Sequence, residues 1–250
     1  MSSAARLLPA LLAGALCCPA PAARAAGLTF YTEVHAPHTM IAPGQTAMSG
    51  FSFDLVTEAA RRAHLAATIV TTVPWARAQA MVADPRQQEA CLFALTQTPQ
   101  RLPHFQWIGP LNRARWTLFA RDDFKATLRT LDDARPYRIG GYNMDARTLY
   151  VVGLGGFKVD AAPDDRVNPA KLAAGRIDLW ISNREEGVRT AESVGVHGLK
   201  PVLTFREVNS YLACGQGVTA KTVQALQAAL DSLKADGTRR KLARRYQTDE

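Results

Sequence analysis

The chain is predicted to be an α/β protein of two lobes, each a mainly parallel sheet flanked by helices. Three observations predict this. Short apolar runs alternate with segments of helical periodicity along most of the chain. The alternation breaks once, at the charge-flanked segment ARWTLFARDD, and then restarts. No low-complexity linker and no internal repeat of solenoid length separates the halves.

Taken in order, LTFY opens as a strand, and Phe51, Leu55, Val56, Ala59, Ala60 and Ala63 recur at helical spacing. ATIVTTV is a second strand, Trp75 to Val82 a second helix and ACLFAL a third strand, which makes a βαβαβ unit. After the break, YRIGGY is a strand, Asp145 to Val152 a helix and FKVD a strand. Asn168 and Pro169 suit an N-cap and a first helical position, with Gly175 as the stop. RIDLWIS is the next strand and Arg184 to Val194 the next helix. PVLTFREVNSYLACG reads as extended chain. A long amphipathic helix follows, capped by Thr219, striped with Val223, Leu226, Leu230 and Leu233, and ended by Gly237. This tail is expected to return to the first lobe, because too few strands remain to build a third one.

Residues 1–25 carry an early arginine, an apolar core from Leu7 to Cys18 and the triplet Ala23-Arg24-Ala25, the pattern of a secretory signal peptide cut after Ala25. Leu16 precedes Cys17 and Cys17 precedes Cys18, so the small residue that lipid attachment requires just before the modified cysteine is missing. Without Arg6 and Arg24 the net charge falls from +8 to +6. The densest basic cluster, Arg239 to Arg245, lies on a helix without an aromatic platform, so it reads as a solvated face and no nucleic acid is expected. Two cysteines remain after the leader, Cys91 and Cys214, both in apolar strand-like segments. An exported compartment favours a disulfide, and two buried thiols fit the sequence equally well.

Catalytic signatures are missing: there is no GxSxG, Walker loop, HExxH or strand-to-helix GxGxxG. His35 and His38 form HAPH, where Pro37 enforces an irregular loop and no third metal ligand is evident, so no metal and no cofactor are expected. The adjacent pairs Asp132-Asp133 and Glu185-Glu186 read as solvated helix faces. Positions are more telling, because residues just past strand C-termini line the ligand crevice of a parallel α/β sheet. That rule selects His35, Trp75, Thr96 to Arg101, Tyr142 to Asp145 and Asn183. The set holds one strong anion binder, hydroxyls, amides and flat rings, and it lacks a nucleophile–base–orienter triad. It is binding chemistry.

The order GFSFDLVTEAARRA, a PW after the second strand, TPQR after the third, IGGY, AGRIDLWISN and ALDSLKADGTRRKLARRY resembles solute-binding protein family 3, the polar amino acid type of ABC-transporter receptor. The resemblance implies a type II periplasmic binding protein fold, with two strands crossing between lobes near Thr117–Arg121 and Asn209–Ala213. It implies a first lobe of residues 26–118 and 209–250, and a second lobe of residues 119–208. It also implies that Arg101 grips a ligand carboxylate with help from Thr96, and that His35 and Trp75 sandwich the ligand. The second lobe departs from the pattern. Met144-Asp145-Ala146 replaces a Gly-Thr-Thr-like helix start, and Asn183 stands where the family carries an aspartate for the ammonium. Asp145 is then a candidate for the cation-binding role. The expected protein is a periplasmic monomer that presents a small polar ligand to a membrane permease. A ligand-sensing subunit, or a lyase using Asp145, His35 or His38 as acid–base group, is the alternative.

Overall fold

The computed structural model describes residues 27–42, 44–87 and 89–248, so the predicted signal peptide lies outside the described residues. The elements are β1 (Gly27–Tyr31), β2 (Met40–Ile41), β3 (Met48–Ser49), α1 (Phe51–Arg62), β4 (Ala66–Val70), α2 (Trp75–Ala83), β5 (Ala90–Thr96), β6 (Phe105–Arg121), β7 (Arg138–Tyr142), α3 (Ala146–Leu154), β8 (Lys158–Ala162), α4 (Asn168–Ala173), β9 (Leu179–Asn183), α5 (Arg184–Ser193), β10 (Leu199–Gly215), α6 (Ala220–Ala235) and α7 (Thr238–Tyr246). Eight strands form one sheet in the order β4-β1-β5-β10-β6-β9-β7-β8. Each end is a parallel trio, β4-β1-β5 and β8-β7-β9, with its second, first and third strands in that spatial order. The two α/β units expected from the sequence therefore share a topology.

Between the trios run β6 and β10, each 17 residues long and antiparallel to each other almost end to end, from Leu199 opposite Arg121 to Gly215 opposite Phe105. The sequence places a bridge at ARWTLFARDD. The observed strand starts earlier, at Phe105, and takes in Gly109-Pro110. Proline has no N–H to give to a ladder, so it is tolerated in a strand only where pairing lapses. Here it lies between the Ile108–Leu212 and Asn112–Ser210 pairs, where the register shifts. A second correction concerns Asn168, which is inside α4 and not its cap. A helical turn over Asp165–Val167, capped by Asp164, leads directly into α4 and carries the helical path past the expected start.

Among the described residues the buried apolar side chains form four clusters, one against α1 and the tail helices, one around α2 and β5, and two about the second trio. Phe30, Phe51, Leu55, Phe93, Ile108 and Leu212 pack with α6 and α7 residues on one side, and Leu118, Ile139, Leu179, Trp180 and Ile181 pack on the other. The tail returns to α1: Leu226, Leu230 and Leu233 are buried there, each stabilising the fold by about 1.5–3 kcal/mol. Tyr246 donates to Asp54 at 2.6 Å, and Arg62 pairs with Asp236 at 2.7 Å. Gly50 holds the chain entering α1 at φ 130, and a Cβ there would run into the His38 carbonyl. That close approach lets Pro37 and His38 accept from the Phe51 and Phe53 amides, satisfying orphan donors of the helix and anchoring the HAPH loop.

Cys91 of β5 and Cys214 of β10 are cross-strand partners joined by a disulfide, buried in the first-lobe core. The bridge closes a long loop across a sequence separation of 123. In chain-entropy terms such a loop places the C91A/C214A double variant about 2–4 kcal/mol below the parent in denaturant unfolding. Coincident unfolding curves for the parent with and without reductant would contradict the bond.

Candidate functional site

The first lobe contributes three neighbouring loops. Past β1, Glu33, His35 and His38 enter the cleft from the anchored HAPH loop, and His38 Nδ1 meets Ser52 Oγ at 3.3 Å. Past β4, Pro74 starts α2 and sets Trp75 on its first turn, where the ring belongs both to the cavity wall and to an apolar cluster with Leu95, Phe105 and Tyr142. Past β5 the chain turns through Thr98-Pro99, with the Arg101 and Leu102 amides donating to the Thr98 carbonyl at 2.9 Å. This turn folds Arg101 back along the strand end. Its Nη1 donates to the Thr96 carbonyl at 3.1 Å and its Nη2 to the Met144 carbonyl, across the cleft, at 2.6 Å. Ala94 takes φ 62 in β5, at the bulge where Tyr211 and Leu212 shift register, and such bulges re-aim a strand end beside a site.

The second lobe answers with the ends of β7 and β9. Gly140 and Gly141 leave room for Asn168 and Thr148, and Tyr142 turns its hydroxyl to Glu33 of the other lobe at 3.2 Å. Asp145 caps α3: Oδ1 accepts from the amides of Arg147 and Thr148 at 3.1 Å and from Arg147 Nε at 3.0 Å. Arg147 also reaches Glu186 at 3.4 Å. Asn183 caps α5 in position but spends its amide on Glu186, Nδ2 to Oε2 at 2.7 Å, while its Oδ1 is buried without a partner among the described residues.

Of the positions that the strand-end rule selects, His35, Trp75, Thr96, Arg101, Tyr142, Asp145 and Asn183 line one cavity of about 70 Å³ between the lobes, and Gln97 to Gln100, Asn143 and Met144 do not. Glu33, Arg147 and Glu186 line it too, and the sequence reading passed them over. Glu186 corrects an expectation, for it is 9 % exposed and not part of a solvated face. It is the third residue after the Asn183 cap, and an Asn-x-x-Glu spacing at a helix start is the signal that marks it. Glu33 and Arg147 each sit two residues from a selected position, His35 and Asp145, and only the fold turns them inward. Contacts cross the cleft throughout, since His38 also lies 3.7 Å from Glu186 and Gln79 donates to the Met144 carbonyl at 3.4 Å.

Residues 28–249 match the model of the bacterial extracellular solute-binding proteins, family 3. The chain belongs to that family. Its fold is that of type II periplasmic binding proteins. A histidine kinase sensor domain with similarity to periplasmic binding proteins superposes with a TM-score of 0.81 at 17% identity, covering 89% of this chain and 96% of that one. An ancestral arginine-binding protein bound to arginine gives 0.77 at 18% identity, with 88% and 97% covered. The arginine-, lysine-, histidine-binding protein ArtJ from Geobacillus stearothermophilus gives 0.77 at 14%, with 90% and 96% covered. No curated protein matches the sequence significantly.

For a family 3 binding protein the charge balance of the cavity decides what it attracts. Arg101 is 8 % exposed, and burial lowers its affinity for a proton, with the field of Asp145 opposing. No carboxylate among the described residues forms an ion pair with it, and two of its five N–H donors are used. Asp145 is different. Burial alone would raise its carboxyl, yet the charge and hydrogen bonds of Arg147 outweigh that and hold it below the usual carboxylate range. Glu186 sits between Arg147, Asn183 and His38.

The two histidines separate. Burial works against protonating His35, but its contact with Glu33, 3.6 Å away, and the fields of Glu186 and Asp165 raise it to about 9. His38 is pushed below 6.5 by burial, with Glu186 opposing and His35 reinforcing. His35 therefore contributes stability that is complete below about pH 6.5 and lost as pH rises through 9. His38 contributes above that pH and loses its contribution on acidification. Ring-proton NMR titration is expected to give midpoints near 9 for His35 and below 6.5 for His38. Midpoints in the reverse order would contradict this pairing.

Proposed function

We propose that this family 3 binding protein is a periplasmic receptor that captures a compact zwitterionic ligand, amino acid-like, between its lobes. The observation that carries this reading is a buried guanidinium, Arg101, without an ion-pair partner among the described residues, on the same cavity as Asn183, whose buried Oδ1 has no partner among them either, and the Glu186 carboxylate. A buried charge left unpaired is costly, and an arriving carboxylate compensates it with bidentate geometry. Thr96 contributes its carbonyl to orient that guanidinium, while His35, Trp75 and Tyr142 form walls. Asn183 lacks the charge an ammonium wants. Glu186, bonded to its amide, supplies it, and this makes Glu186 a better cation partner than Asp145, whose oxygens serve Arg147 and the α3 end. The volume of about 70 Å³ has room for roughly five to seven water-sized groups, the scale of a small amino acid.

The lobes are residues 26–118 with 209–250, and 119–208, and they hinge on β6 and β10. Ligand touching both lobes only when they are closed shifts the population toward the closed form, which a membrane permease then reads. The protein works as a monomer without a cofactor. A second reading, a sensing subunit that passes closure to a kinase, draws support from the fold shared with the histidine kinase sensor domain. A lyase finds less support, because the acid–base candidate Asp145 is held ionised by Arg147.

Mass spectrometry of small molecules released by denaturing the purified protein identifies the ligand. Against it, Arg101→Ala weakens binding by about 10- to 150-fold, the scale of a charged hydrogen bond. Glu186→Gln weakens a zwitterion but spares a plain carboxylate. Unchanged affinity in Arg101→Ala would show the guanidinium to be only a bridge between the Thr96 and Met144 carbonyls.

A further inference from the structure

A second and larger space lies beside the polar cavity. It is a groove of about 770 Å³ between α2 and α3, floored by β6 and β10, and within the size range of small-molecule sites. Its character is opposite to that of the polar cavity. Ala76, Ala80, Phe105, Leu149 and Leu154 line it, with Leu149 and Leu154 exposed by 44 % and 49 % on α3. At its floor Arg206 lies 4.6 Å over the Tyr150 ring and 5.7 Å over Trp116. Contiguous exposed apolar surface of this kind marks a binding face.

Arg101, Trp116 and Ala146 border both spaces. Beside that border Met144 lines the groove, and its carbonyl accepts from Arg101 Nη2 at 2.6 Å and from Gln79 Nε2 at 3.4 Å. Met144 holds that position at φ 59, a left-handed conformation that costs a side-chain-bearing residue energy. A strained carbonyl held by two hydrogen bonds is a latch that can be displaced more readily than packed core. We propose that the groove is a second compartment of the ligand site, receiving the apolar or aromatic tail of a compound whose anionic head is held by Arg101. The proposal rests on the reading of Arg101 as the head-group anchor. It makes the preferred ligand an amino acid-like molecule with a long apolar side chain, too large for the polar cavity alone.

The test is calorimetric titration with L-alanine, L-norvaline, L-norleucine and L-2-aminooctanoate. Affinity rises about fourfold per methylene once the chain reaches the groove, the scale of moving one CH₂ out of water. Gly153 lines the groove on α3, and a Cβ built there meets nothing within 4 Å, so the side chain of Gly153→Trp starts in open space and is directed to fill the groove. That variant binds L-alanine within twofold of the parent and loses the chain-length gain. Ala80→Phe, from the facing wall, repeats the result should Gly153→Trp not fold. Affinity that is flat or falling with chain length, with Arg101→Ala still weakening L-alanine, overturns the groove and leaves the polar site standing. An undiminished gain in both blocking variants also overturns it. Binding insensitive to Arg101→Ala, or no binding by any member, overturns both readings. Concentration-dependent dimerisation abolished by Gly153→Trp, without chain-length dependence, assigns the groove to a second copy and overturns the proposal.

Discussion

The pairing of β6 with β10 is the constraint on which the rest depends. Each strand is 17 residues long, each serves both lobes, and their ladder makes one sheet out of two parallel trios. β10 pairs with β5 along Ser210–Cys214, and β6 with β9 along Trp116–Phe119. The ends of β5 and β9, which carry Thr96 and Asn183, are thereby brought to opposite sides of one cleft. The ladder also supplies the cleft's floor through Trp116, and its register shifts give the pair places to bend.

Electrostatics then differentiates the cleft. Six charged side chains line a small cavity, and most of them neutralise one another: Arg147 with Asp145 and Glu186, His35 with Glu33. Arg101 is left over, without an ion-pair partner among the described residues, and is held by two carbonyls and the field of Asp145. A fold tolerates one unpaired buried cation when a ligand is there to compensate it. The same guanidinium reaches across the cleft to the Met144 carbonyl, so the side chain proposed to hold a ligand carboxylate also ties the two sides of the cleft together.

Much of the fold was legible. Apolar alternation and helical stripes located the strands and helices to within a few residues, because burial on one face imposes a period that local sequence records. The misses have local causes. Proline inside FQWIGPL hid the first half of β6, since nothing in the sequence reveals that a register shift would shelter it. Asn168 looked like a cap because the preceding turn over Asp165–Val167 has no apolar signature. Within the site, the strand-end rule brought His35, Trp75, Thr96, Arg101, Tyr142, Asp145 and Asn183 to one cavity, yet it is blind to helical residues that turn inward. Glu186 and Arg147 belong to that class, and so the carboxylate facing Asn183 went unseen.

By itself the sequence determined the α/β class, the return of the tail helices to the first lobe and the family resemblance that the match over residues 28–249 bears out. These follow from periodicity, composition and motif order, all carried by neighbours along the chain. Tertiary structure alone decided that Cys91 and Cys214 face each other, that Asp145 is spent on Arg147, that Glu186 completes the Asn183 side, and that Met144 latches Arg101 between a polar cavity and an apolar groove. The disulfide, the Arg101–Met144 bond and the Arg147–Glu186 contact join residues 123, 43 and 39 positions apart, and only the fold built on β6 and β10 brings them together. The Asp145–Arg147 and Asn183–Glu186 bonds span 2 and 3 positions at the starts of α3 and α5, and the packing of those helices turns them into the cleft.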